Sequence, residues 1–291
     1  MRLRAGRREL ELGGPPLLMG VVNASPDSFS DGGDLPDLAE RATALVAAGA
    51  DLLDIGGESA IGGRPPVPVE EELERVLPLV ERVVAEHDVL VSVDTYKPAV
   101  AEAAIAAGAG MVNDVSGLRD PALAEICART GAALVIMHTR VAPKGTLLDP
   151  GFYEDVVADV AGFLTERMQA ALAAGVGEEQ IVLDPGPDFA KTPAQTVAVL
   201  RRLDLLHALG RPLLLAVSRK DFLGAITGRG PRERGAATLA ALDAGVRAGA
   251  SILRVHDVAA AADFLAVRAV LEGERELAPA EGLTPDRFPE R

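Results

Sequence analysis

The fold class predicted for this 291-residue chain is α/β, a single-domain eight-stranded parallel β/α (TIM) barrel. Three observations predict it. Eight short, β-branched apolar runs recur along the chain. Most are separated by Ala-, Leu-, Glu- and Arg-rich stretches with helical spacing. The runs are also apolar at successive positions, as strands buried on both faces of a parallel sheet must be. Strand then helix, repeated with right-handed crossovers, favours a closed barrel over an open doubly wound sheet.

The runs in chain order are LLMGVV, DLLDIG, VLVSVD, MVNDV, AALVIMH, IVLDPG, LLLAVS and SILRVH. Between them DLAERATALVAAG, EEELERVLPLVERVVAE, KPAVAEAAIAAG and PALAEICARTG read as helices, and several end in a capping glycine. The longest loops, 24–37, 56–69 and 139–153, each follow a strand. The barrel is expected over 1–271, with a short N-terminal extension. The segment 272–291, charged and Pro-bearing without periodicity, reads as a surface or disordered tail.

Composition narrows the function. The balance of 29 basic against 43 acidic residues, a net charge of −14, disfavours nucleic acid and anionic membrane partners. The single cysteine, Cys127, cannot form an intrachain disulfide or a thiolate zinc cage, so a reducing cytoplasm is expected. No secretory leader or membrane span is legible. Asparagine occurs only at 23 and 113, and lysine only at 97, 144, 191 and 220, against 25 arginines. Residue types this scarce invite a reason for each survivor.

In such a barrel chemistry collects at the C-terminal strand ends. Those ends here carry Asn23, Asp54, Asp94, Asn113 with Asp114, His138, Asp184, the triplet Ser218–Arg219–Lys220, and Arg254 with His256 and Asp257. Both asparagines and one lysine fall on this rim. Asp114 and Asp257 suit helix or loop capping equally well, Asp184 before Pro-Gly suits a turn, and His138 suits a satisfied core histidine. Asp94, Asn113 and Asp184 together offer acceptors and an amide to the edge of a planar, nitrogen-rich heterocycle. Asn23, Arg254 and His256 could grip an anion, directly or through Mg²⁺, for which an amide oxygen is a suitable hard ligand.

Six separated motifs, MGVVNASPDSFSDGG, GADLLDIGGES, VSVDTYKPAVAEAAIAAGAGMVNDVSG, IVLDPGPDFAKTP, SRKDFLGAITG and RVHDV, span 17–258 in an order that resembles the dihydropteroate synthase family of the pterin-binding barrels. The resemblance implies a cytoplasmic transferase, a homodimer paired through its late helices. It joins 6-hydroxymethyl-7,8-dihydropterin diphosphate to 4-aminobenzoate and releases pyrophosphate. By motif, Asp94, Asn113, Asp184 and Lys220 would hold the pterin, with Met137, Phe189 and Arg254 against its ring. Asn23 would be the Mg²⁺ ligand, and Arg254 and His256 would take the diphosphate. Asp94, Lys220 and Asp27 would be the catalytic set. Ser218, Asp221, Phe189 and Phe29 would face the aminobenzoate.

Two departures fall on the aminobenzoate side. After GGES the family usually continues Thr-Arg-Pro-Gly, where this chain has Ala60 and Ile61, with Arg64 as the nearest replacement guanidinium for the anion pocket. Asp221 stands where serine is common and would repel a carboxylate. Two alternatives therefore accompany the synthase: a homologue that binds the pterin diphosphate without using 4-aminobenzoate efficiently, and a methyltetrahydrofolate-binding methyltransferase module.

Overall fold

The structure is a computed structural model, and it describes residues 1–25, 34–59, 63 and 65–278. The first element is a hairpin, β1 (Arg2–Ala5) and β2 (Arg8–Glu11), paired antiparallel with Ala5 opposite Arg8. Gly6 takes φ +65° at the first of its two turn positions, where hairpins favour glycine. The barrel strands follow: β3 (Leu17–Asn23), β4 (Leu52–Gly56), β5 (Leu90–Asp94), β6 (Met111–Asp114), β7 (Ala133–Met137), β8 (Ile181–Asp184), β9 (Leu214–Leu215) and β10 (Ile252–Val255). All neighbours are parallel, in the order β8-β7-β6-β5-β4-β3-β10-β9. A bridge from Leu183 to Leu213 closes the ring, with Leu183 N–H donating to Pro212 O at 2.9 Å.

Helices α1 (Leu35–Ala47), α2 (Val69–Glu86), α3 (Pro98–Ala106), α4 (Ala122–Thr130), α5 (Val156–Ala173), α6 (Pro193–Leu200), α7 (Leu203–His207), α8 (Asp221–Thr227), α9 (Gly235–Arg247) and α10 (Val258–Leu271) cover the strands. Their apolar stripes and the outward strand residues form one core cluster, which includes Val76, Leu79, Val93, Leu134 and Leu183. The eightfold expectation holds. The seventh run is shorter than expected: only Leu214 and Leu215 are strand, because the chain leaves the sheet before Arg219, whose φ of +60° starts the next turn. The N-terminal extension is the hairpin, which the sequence reading left without structure. Of the expected tail, 279–291 lies outside the described residues.

A second cluster fills the barrel itself. Leu3, Ala5 and Leu12 from the hairpin segment meet Met19, Leu52, Leu90, Met111, Val182, Leu214 and Ile252 from the strands. The hairpin thus plugs the N-terminal end of the barrel, and Leu3 is fully buried there. Side chains alternate along a strand, so residues two and four positions beyond these plugging residues also point inward. That step leads from Leu52 to Asp54, from Leu90 through Ser92 to Asp94, from Met111 to Asn113, from Val182 to Asp184 and from Ile252 to Arg254. The interior is apolar below and polar above. If the hairpin is the plug, Leu3→Ala should lower unfolding free energy in urea by about 2–5 kcal/mol, the range for deleting a buried leucine. A loss under about 1 kcal/mol would reject that role.

Candidate active site

The inward parity brings three charged groups together inside the barrel mouth. Arg254 Nε donates to Asp54 Oδ2 at 2.6 Å, and its Nη2 donates to Asp94 Oδ2 at 2.8 Å. Asn113 Nδ2 donates to the same Asp54 oxygen at 2.9 Å. Burial and the neighbouring Asp54 carboxylate push the Asp94 pKa up from 3.8 to about 7, against the pull of Arg254. Burial also raises Asp184, whose Oδ1 accepts the Gly186 N–H at 2.7 Å.

Above these groups lies a cavity of about 430 Å³, within the size range of small-ligand sites. Asn23, Asp94, Asn113, Met137, Asp184, Phe189, Lys220, Asp221, Arg254 and His256 all line it, so the structure brings together ten of the fourteen residues expected there. The buried Asn113 Oδ1 and Asp54 Oδ1 have no hydrogen-bond partner among the described residues. An unpaired buried acceptor costs about 1–3 kcal/mol, which a ligand presenting N–H groups would offset. Lys220 Nζ sits 4.2 Å from the centre of the Phe189 ring, a cation–π contact, and burial lowers its pKa.

Ser218 supports its neighbour instead of lining the cavity. Its Oγ accepts the His256 backbone N–H at 3.2 Å and lies 3.0 Å from His256 Nδ1. Asp221 pairs with Arg234 Nη1 at 2.9 Å, so its charge is offset. Asp27, Phe29 and Arg64 lie outside the described residues, as do Ala60 and Ile61. Asp114 accepts from Ser116 and Leu118 N–H groups, and Asp257 caps α10 through Ala260 N. Both serve local structure.

Sequence reasoning noted Asp54 on the rim but gave it no role, and it missed the cations that hold the mouth loops. Lys97 and Lys144 converge on Glu58, at 2.6 and 3.0 Å, and Lys97 also pairs with the buried Glu72. Burial would raise the Glu58 pKa, yet these two lysines hold it below its ordinary value. Gly63 N–H donates to Lys144 O at 3.1 Å, so the loops after β4 and β7 are tied together. Arg234 donates to the carbonyls of Arg219, Lys220 and Arg229, bracing the turn at Arg219. Lys191 is buried under the loop after β8. The signal was lysine scarcity, which applies to all four lysines and not only the one on the rim.

The family model described as pterin binding enzyme matches residues 19–256. Dihydropteroate synthase of Bacillus subtilis is 42% identical over 246 residues, 83% of this chain and 84% of its own length. That of Escherichia coli K12 is 40% identical over 261 residues, covering 89% and 92%. Among solved structures, Xanthomonas albilineans dihydropteroate synthase with 4-aminobenzoic acid superposes with a TM-score of 0.86 at 44% identity, over 94% of this chain and 99% of that one. The same enzyme in complex with 7,8-dihydropteroate gives a TM-score of 0.84 over the same shares. Polar strand ends in an eightfold barrel, a cavity floored by unpaired acceptors and this likeness along most of the length agree: the chain belongs to the pterin-binding enzymes, among the dihydropteroate synthases.

Proposed function

We propose that this protein joins 6-hydroxymethyl-7,8-dihydropterin diphosphate to 4-aminobenzoate, forming 7,8-dihydropteroate and releasing pyrophosphate. The observation that carries the reading is the buried Asn113 Oδ1, unpartnered among the described residues, beside Asp94 and Asp184 under the cavity, an acceptor set matched to the N–H edge of a pterin. The solved relative from X. albilineans binds both the arylamine and the product.

Asp94, Asn113 and Asp184 hold the heterocycle, Met137 and Phe189 pack on it, and Lys220 donates to it. A pterin N–H that engages Asp94 Oδ2 competes with Arg254 Nη2 and turns the guanidinium toward the diphosphate, beside His256. Ring binding and anion binding are then coupled through one arginine. The bond from the pterin methylene to the diphosphate oxygen breaks as positive charge grows on the ring, which the Asp94 carboxylate stabilises. The aniline nitrogen then attacks the methylene and loses a proton. The Arg234 pair at Asp221 offsets the charge that would repel the aminobenzoate, which removes one ground for the pterin-only alternative. The synthases among its relatives set aside the methyl-transfer reading.

Asn23 lines the cavity with a hard amide oxygen, and among the described residues no group of three His, Cys, Asp or Glu could hold a metal. This donor set fits a Mg²⁺ that arrives with the diphosphate, since Mg²⁺ commonly takes one or two protein oxygens plus substrate phosphates. Held at Asn23, it would supply Lewis-acid neutralisation of the leaving group. Two copies pair through α9 and α10, whose groove of about 470 Å³ is lined by Leu239, Phe264, Val267 and Leu271. Val267 is 60% and Leu271 80% exposed in one chain. No helix among the described residues is long and apolar enough to cross a membrane, and Cys127 is a free, buried thiol, in keeping with a cytoplasmic enzyme.

The primary test is pyrophosphate release with pterin diphosphate and Mg²⁺, with and without 4-aminobenzoate. Release should require the amine and stop with EDTA; tight pterin diphosphate binding without amine-dependent release would sink the synthase reading. Lys220→Ala and Asp184→Asn should each weaken pterin diphosphate binding about 10–100-fold by calorimetry, the range for one charged hydrogen bond. Unchanged affinity would remove them from the site.

Asp94 predicts a pH dependence of both stability and rate. Between pH 3.8 and about 7 the folded state holds the Asp94 proton more tightly than the unfolded state does, so its contribution to stability falls as pH rises through that window. Pterin capture needs the carboxylate. kcat/KM for the pterin diphosphate should therefore drop on the acid side with an apparent pKa near 7. Asp94→Asn should remove that limb and lower the plateau, whereas a limb that persists in the variant would belong to another group.

A further inference from the structure

The loop after β8, from Pro185 to Ala190, presents Phe189 to the cavity in an unfavourable backbone. Gly186, Asp188 and Ala190 all have positive φ, at +63°, +63° and +51°. A Cβ on Gly186 would lie 2.1 Å from His138 O, so the loop rests directly on the end of β7. Tyr153 OH donates to Ala190 O at 2.7 Å, and Asp188 bonds Thr196 and the Phe222 N–H. These contacts hold Asp188 and Ala190. The Gly186 and Phe189 carbonyls are held by one further side chain.

That side chain is Lys191, 1% exposed, whose Nζ lies 2.7 Å from His138 Nδ1, 2.9 Å from Gly186 O and 3.1 Å from Phe189 O. Burial lowers its pKa to about 7, and as the ammonium it carries three protons for these three acceptors. His138 is set for this contact from behind. Its Nε2 lies 3.0 Å from Asp159 Oδ1, and Arg140 grips that carboxylate through Nε and Nη2. Burial and the Lys191 charge lower the His138 pKa to about 3, so the ring is neutral, donates from Nε2 and offers Nδ1 as an acceptor. A fixed chain runs from Arg140 through Asp159, His138 and Lys191 to the Phe189 carbonyl. Phe189 in turn lines both the main cavity and a smaller adjoining cavity of about 50 Å³, where Thr95, Tyr96 and Thr139 meet it.

We infer that Lys191 is a positioning residue for the second substrate: by pinning the carbonyls of Gly186 and Phe189 it sets the Phe189 ring against Lys220 and fixes the wall along which the arylamine enters. The inference rests on the synthase reading above. Of the pterin-holding groups, Asp94 and Asn113 stand on strand ends away from this loop, whereas Asp184 meets it through the Gly186 N–H and Phe189 belongs to it. Loss of the Lys191 tie therefore falls first on the arylamine that rests along the Phe189 wall, and less on the pterin, which keeps Asp94 and Asn113.

The test is a double-mutant cycle on the full chain with Lys191→Met, which keeps length and removes the donors, and Phe189→Ala. Lys191→Met should raise the KM for 4-aminobenzoate about tenfold or more and leave the pterin diphosphate Kd within about threefold, the split expected when one binding wall alone is disturbed. In the Phe189→Ala background the same change should cost less than about threefold, because residues acting through one another are not additive. An unchanged KM, or an equal loss in both backgrounds, would overturn the inference. Should Lys191→Met fail to fold, Lys191→Gln, whose amide keeps two donors for three acceptors, should raise the same KM by a smaller factor in the same direction, and an unchanged KM would again overturn the inference. Wild-type protein without amine-dependent turnover would instead refute the underlying reading.

Discussion

The Arg254 guanidinium, lodged between Asp54 and Asp94 inside the barrel, is the interaction on which the mouth depends. Two carboxylates this deep repel each other, and one cation serves both. Replacing such a set with apolar residues is often neutral or stabilising, so its presence points away from stability as the reason. The stability of the barrel interior comes from below, where the hairpin and the lower strand residues form an apolar plug. Chemistry and stability thus occupy two ends of one set of strands, separated by one or two steps of the side-chain alternation.

The same division extends to the loops. Arg219, Asp188 and Ala190 each hold a positive φ that costs about 1–3 kcal/mol in a residue other than glycine. Such conformations persist only where their surroundings over-determine them. Arg234 does this for the turn that carries Lys220, and Lys191 for the loop that carries Phe189. The Lys97, Lys144, Glu58 and Glu72 cluster plays the corresponding part for the loops after β4 and β7. Buried cations therefore shape the cavity from outside it, while the cavity's own polar groups face the ligand.

Much of this was legible in the chain. Short apolar runs alternating with helical stretches determined the eightfold barrel, and polar residues at the run ends determined where the site would be. Asp94, Asn113, Asp184 and Arg254 were readable because strand periodicity is local and the barrel sends every strand end to one place. The choice between a cap and a ligand group at Asp114 and Asp257 was not readable, since it turns on which backbone N–H groups the folded loop presents. The hairpin plug escaped notice because its strands are four residues each, and only the open end of the barrel gives Leu3 something to bury against.

What the sequence by itself determined is the order of elements, the parity that points each strand residue inward or outward, and the chemical type of the groups at the mouth. Tertiary structure alone decided which of those groups pair. Asp54 meets Arg254 across 200 residues of chain, Lys191 meets His138 across 53, and Lys144 meets Ser59 across 85. Hydrogen bonds and close ion pairs form only between atoms in contact, so their partners are set by closure of the barrel and not by position along the chain.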